Sequence, residues 1–143
     1  MARVTWGLIC TNYSIDKDKN TISLFEVIEE VRISPVPNID DAEVVSIPWN
    51  ATIVFTVERD QVDEEEMAIF RITRLAPNVD PVLGPQMEVD LGGFVRQRLL
   101  ASLQKLEYSG DGSYDFVIQR NIGGPDEWED DYRISFLVIA VDE

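Results

Sequence analysis

Phe94-Val95-Arg96-Gln97-Arg98-Leu99-Leu100-Ala101-Ser102-Leu103-Gln104-Lys105-Leu106 is the stretch whose reading decides the fold. Val95, Leu99, Leu103 and Leu106 recur at helical spacing, whereas Leu99, Ala101 and Leu103 alternate as a strand does, so periodicity alone leaves both readings open. The residues that follow favour the strand over the helix. Ser109-Gly110-Asp111-Gly112 has the composition of a tight turn, and residues 113–120 then place Tyr114, Phe116 and Ile118 on one face at period two. Strand, turn and strand make a hairpin. With residues 94–106 read as strand, no convincing helix remains in the chain.

Working outward, the same signals recur in both directions. Residues 121–131 read as a loop around Gly123-Gly124-Pro125, and residues 132–141 as a last strand that alternates at Tyr132, Ile134, Phe136 and Val138 before turning apolar on both faces, the mark of a central strand. Upstream, residues 86–91 form a short edge strand closed by Gly92-Gly93, after a loop over 77–85. Residues 67–75 and 51–58 form two more strands. In the second of these, Ala51, Ile53, Phe55 and Val57 occupy one face and Thr52, Thr56 and Glu58 the other, with Val54 out of place, so it reads as half-buried. Between them lies an acidic loop, residues 60–66.

Nearer the start, residues 34–50 carry Pro35, Pro37 and Pro48, none of which can donate to a ladder, and read as a long crossing connection. Residues 4–13 and 21–33 pair as a hairpin about the polar turn Asp16-Lys17-Asp18-Lys19-Asn20. The apolar phase of the second arm shifts near residues 27–29, which predicts a bulge there. The total is about eight strands at short spacing, the pattern of a single-domain, two-layer antiparallel β-sandwich over residues 1–143, of Greek-key or C2/immunoglobulin-like type.

Composition narrows the function. The chain has 143 residues, 27 acidic against 12 basic, and a formal net charge of −15. That field repels phosphates and anionic lipid, so neither nucleic acid nor membrane is expected as a partner. Carboxylates in this excess keep a domain soluble and would also suit a cytoplasm of high ionic strength. No apolar run reaches the length of a membrane-spanning helix, and Met1-Ala2-Arg3 leads into strand-like sequence without an apolar leader, so a cytoplasmic location is expected. The lone Cys10 has no partner for an internal disulfide or a Cys/His metal site.

Ile9-Cys10-Thr11-Asn12-Tyr13, the turn at Lys19-Asn20 and Ile22-Ser23-Leu24 leading into residues 25–31 together resemble the opening hairpin of a family of small bacterial β-sandwich domains of unknown function. The later hairpin around Gly112-Ser113-Tyr114-Asp115-Phe116 also resembles that family. The chain differs from it in carrying Phe25 where a glycine is expected and Asn12 where an acidic residue is expected. The resemblance implies a sandwich and a strand at Leu99, and it implies no activity.

Catalysis has few candidates. There is no histidine to act as base, and Cys10 lies in an apolar strand, where burial raises a thiol pKa and makes a structural role the simpler one. The run Asp63-Glu64-Glu65-Glu66 reads as a solvated loop. Asp16-Lys17-Asp18-Lys19-Asn20 begins like a calcium loop, but Thr21 and Val27 stand where an EF-hand requires Gly and Glu. A looser calcium site between loops would draw on Asp16 and Asp18, on Asp60 with Asp63, or on Asp126 with Asp130 and Asp131; otherwise no cofactor is expected.

Contact residues are easier to find. Trp49 and Trp128 fall in segments read as loops, where strand packing does not require a large aromatic. Each either anchors a partner or folds back over an end of the sandwich. Trp6 falls in a strand and is assigned to the core. Arg96 and Arg98 share a strand face, and with Arg71 or Arg74 would make a cationic patch for an acidic surface or for internal carboxylates. The expected function is therefore a non-catalytic protein-interaction or structural module, including a self-associating subunit. A calcium- or small-ligand-binding sandwich is the alternative, and an enzyme the third reading.

Overall fold

Alternating β-branched and aromatic residues hold most of the chain extended. The computed structural model describes residues 2–37, 44–59, 67–92 and 95–142. Among these, nine strands form: β1 (Arg3–Asp16), β2 (Thr21–Val27), β3 (Glu30–Ile33), β4 (Val45–Glu58), β5 (Met67–Leu75), β6 (Val82–Asp90), β7 (Arg96–Tyr108), β8 (Gly112–Asn121) and β9 (Trp128–Ala140). They build two packed sheets, ordered β2-β1-β4-β7 and β3-β9-β8-β5-β6. The ambiguous segment is strand β7, paired with β4 from Val45↔Tyr108 to Glu58↔Arg96.

The chain crosses repeatedly between the sheets, at β2 to β3, β3 to β4, β4 to β5, β6 to β7 and β7 to β8. The core fills the space between them. Ile9, Ile53, Phe55 and Val57 from the first sheet meet Phe70, Tyr114, Phe116, Ile118 and Phe136 from the second. Phe136 stacks on Phe116 with ring centroids 5.8 Å apart and lies 5.8 Å from Tyr114. Each such side chain, once buried, stabilises the fold by about 1.5–3 kcal/mol before conformational entropy is counted.

Several boundaries differ from the sequence reading, each for a local reason. Residues 27–29 hold a change of sheet where a bulge was expected: β2 pairs with β1, whereas β3 pairs with β9, and in parallel, so the sandwich is not wholly antiparallel. Ile28 N–H still donates to Ile9 O in one sheet (2.8 Å), and Glu29 O accepts from Leu137 N–H in the other (2.9 Å). β4 begins within the presumed connection, because a register shift between Pro48 and Ala51 lets the proline sit in a strand. β6 likewise starts at Val82, ahead of Pro85. It is an edge strand, and its ladder slips opposite Ile72, where Gly84 passes so close that an added Cβ would sit 2.3 Å from Ile72 O. β9 starts at Trp128, inside the presumed 121–131 loop.

The corner before β8 is tied by hydrogen bonds. Tyr114 Oη donates to Gly110 O (2.7 Å) and accepts from Ser109 N–H (2.8 Å), while Ser109 Oγ donates to Pro77 O. Asp111 accepts from Tyr108 Oη (2.7 Å) and from Ala140 N–H (2.8 Å), joining β7 of one sheet to β9 of the other. That pairing holds the Asp111 carboxyl below its ordinary pKa, mainly through the Tyr108 bond. Tyr108 is pushed up to about 12, chiefly by burial and then by Asp111.

Candidate functional site

The first candidate follows from strand order. β6 ends one sheet and β7 ends the other, so along this side each presents one edge with no strand beside it among the described residues. β7 is 13 residues long. Between the two edges the sandwich stays open, in two adjoining hollows of about 890 and 270 Å³ that share Arg74, Val82, Ser102, Leu103 and Phe116. Trp49 lines the larger hollow, and Ile53, Ile72 and Met87 line the smaller. Their mouth carries Val82, which is exposed. The seam thus sets apolar side chains beside unused backbone donors and acceptors, the combination an added strand requires.

The second candidate lies on the outer face of the first sheet. Thr52, Val54 and Thr56 of β4 point away from the core, as do Trp6, Leu8 and Cys10 of β1, which pair with them. A half-buried strand would leave them in water, yet Val54 and Cys10 are fully buried and Thr52 and Thr56 nearly so. Their cover is the hairpin β1–β2. Past Cys10, β1 no longer pairs with β4, and the arm folds back over the sheet until Arg98 Nη2 of β7 donates to Asn20 O at its tip (3.4 Å). Between arm and sheet remains a cleft of about 410 Å³, lined by Trp6, Asn20, Ile22, Thr56, Arg96 and Arg98, with Gln97 behind them. Trp6 is therefore not a core residue: it is half-buried on the outer face and forms a wall of this cleft.

The residues singled out in the sequence are dispersed over the molecule. Trp49 is half-buried in β4, its ring 5.5 Å from Phe136, so it covers an end of the core while also lining the seam. Trp128 opens β9. Its Nε1 donates to Pro125 O (3.2 Å), and the Arg71 guanidinium sits 4.2 Å above its ring. Arg71 Nε also donates to Gln119 Oε1 (2.8 Å), which accepts in addition from Thr73 Oγ1 (2.9 Å). Arg71 thus belongs to the outer face of the second sheet, Arg74 to the seam, and Arg96 and Arg98 to the outer face of the first. The patch expected from Arg96 and Arg98 with Arg71 or Arg74 does not form, and the four arginines occupy three places. Arg96 is paired with Glu58, whereas Arg98 meets no carboxylate among the described residues.

The acidic candidates separate too. Asp16 Oδ1 accepts from Asp18 N–H (3.0 Å) and Lys19 N–H (3.2 Å), which closes the turn. Asp126 is exposed in the turn before β9. Asp130 accepts from Gln119 Nε2 (2.8 Å) on the outer face. Asp131 is the extra residue of a bulge opposite Ile118 and Gln119, which turns its carboxylate to the Val4 N–H of the other sheet (2.6 Å). Asp60 and Asp63 lie outside the described residues. Among the described residues no three acidic or thiol side chains converge as a metal site. Cys10 is buried, and burial pushes its thiol above the ordinary value.

Sequence reasoning missed the seam, the cleft and the buried Arg120, whose Nη2 lies 3.7 Å from Glu129 Oε2. The seam had a legible half in the long apolar β7; its other half was hidden by Pro85. The cleft had one signal, the misplaced Val54. No family model, no curated protein and no solved structure matches the chain. Among the described residues no helix is long and apolar enough to cross a membrane.

Proposed function

We propose that this chain is a non-catalytic β-sandwich module that works through protein contacts, and that it engages its partner along the β6–β7 seam. One observation carries the reading: a 13-residue strand, with no strand on its outer edge among the described residues, borders an open apolar hollow. Free edges of this length invite pairing with another chain, and an extended segment lying on β7 would satisfy that edge while placing alternate side chains in the hollows. A second copy of the chain is one such partner. The net charge of −15 supports a protein surface over nucleic acid or anionic lipid, and a cytoplasmic setting is part of the same reading.

We assign the sandwich to the immunoglobulin-like class. What supports this is a first edge that runs from one sheet into parallel pairing with the last strand, the order β3-β9-β8-β5-β6, and Tyr114 at the start of β8 with its hydroxyl turned back to Gly110. Kinship with the small bacterial β-sandwich domains that the two hairpins resemble is part of the proposal.

Sedimentation at high micromolar concentration tests self-association, and co-purification from the native cell tests a different partner. Val82→Lys with Asp80→Lys changes the charge at two exposed positions on the mouth of the seam, and should abolish whichever association the parent shows. A parent that stays strictly monomeric and recovers no partner, or an association untouched by the double variant, overturns the proposal.

A further inference from the structure

The cleft beneath the hairpin lies on the opposite face of its sheet from the core and is separate from the seam. Arg98 is half-buried in it, and its guanidinium, with five donors, makes one long bond to Asn20 O among the described residues. In a chain with 27 acidic side chains, a half-buried cation that meets no carboxylate among the described residues is a conspicuous vacancy of charge. Its neighbour Arg96 is already engaged by Glu58. The cleft therefore presents one available guanidinium. Around it stand the Trp6 indole and Ile22 as apolar walls, with the Thr56 hydroxyl and the Asn20 side chain as small polar groups.

We propose that this cleft binds a small amphiphilic carboxylate, a ligand with one carboxylate and a flat or branched apolar body. A guanidinium takes a carboxylate through two parallel N–H bonds, which suits a single free arginine. The indole face and Ile22 take the apolar body, and a hollow of about 410 Å³ matches a ligand of that size. A monoanion is selected over a dianion such as phosphate, because the protein's net charge of −15 opposes each added negative charge and, among the described residues lining the cleft, one guanidinium without a carboxylate partner answers it. The hairpin arm forms one wall of the cleft, so occupancy ties the arm to β7.

Benzoate is the probe, with benzamide as its neutral counterpart and inorganic phosphate as the dianion. The readout is the Trp6 indole N–H resonance, assigned by its loss in Trp6→Phe. Benzoate should shift that resonance saturably, with a dissociation constant of about 1 mM or tighter, while benzamide and phosphate bind at least about tenfold more weakly. Arg98→Gln should weaken benzoate by at least about tenfold at an unchanged melting temperature. Ile22→Glu, on the β2 arm of the hairpin, sets a carboxylate in the cleft wall and should have the same effect, which keeps the test open should Arg98→Gln fail to fold. No saturable shift up to about 50 mM benzoate, equal binding of benzamide, tighter binding of phosphate, or full retention of binding in folded variants overturns the site.

Discussion

The outer faces of the two sheets start from the same alternating pattern and end differently. On the second sheet, Arg71, Thr73, Gln119 and Asp130 face outward and satisfy one another. Gln119 is the hub, accepting from Arg71 and Thr73 and donating to Asp130. On the first sheet, Thr52, Val54 and Thr56 occupy the equivalent row and are buried under the hairpin. A polar face can be finished by its own hydrogen bonds, whereas a face of threonines around a valine has too few donors and acceptors and needs a cover. The difference lies in one misplaced residue and in the length of β1, which has 14 residues but pairs with β4 only through Cys10.

The largest effect should come from breaking the covered face. Val54→Asp sets a carboxylate at a fully buried position, and should cost on the order of 4 kcal/mol or more. Loss of the cooperative melt should follow, and the Cys10 thiol should become open to labelling. A variant that melts like the parent, with Cys10 open to labelling, would mean that the hairpin lifts off freely; one with Cys10 still protected would mean that the covered face tolerates a charge. Next in size is the second face: Gln119→Ala removes the hub and should cost about 1–2 kcal/mol by chemical denaturation, since Arg71 and Asp130 can still reach water and only the buried Thr73 hydroxyl loses its partner. A loss as large as that of Val54→Asp would erase the contrast between the faces.

The smallest effect is at the corner joining the sheets, where the Tyr108–Asp111 bond should give stability a pH window. Tyr108 is raised above its ordinary 10.0 to about 12, so its contribution is complete below pH 10 and lost as pH rises through 12. Asp111 is lowered from 3.8, so its contribution is present above that pH and lost as pH falls through the depressed value. Melting temperature against pH should lose the alkaline fall attributable to this pair in Tyr108→Phe. An unchanged alkaline limb would assign the fall to other groups.

Most strands were legible because one side of each faces a shared core: Ala51, Ile53, Phe55 and Val57, or Tyr114, Phe116 and Ile118, repeat at period two whatever lies on the other face. Long-range decisions were not legible. Nothing local to Val27, Ile28 and Glu29 distinguishes a bulge from a change of sheet, because the two differ only in which distant strand, β1 or β9, receives the next hydrogen bond. Prolines misled in a consistent way. Pro48 and Pro85 were read as loop, yet both sit in strands where the ladder slips, and a slipped ladder asks no donor of them. As for site residues, Arg98 was found for its charge, but its setting depended on the arm above it. The seam needs two edges from strands distant in sequence, so only the β7 half could be read.

The change of sheet after β2 has a mechanical consequence. β3 lies parallel to β9, with four residue pairs from Glu30↔Leu137 to Ile33↔Ala140. Force drawing β9 lengthwise out of its sheet loads those bonds together, in shear, and they must fail at once. The β1–β2 hairpin, pulled at its tip, opens one pair after another, as a zip does. A single crossing of about two residues therefore separates a part of the molecule built to hold from a part built to peel, and it is the peeling part that covers the cleft.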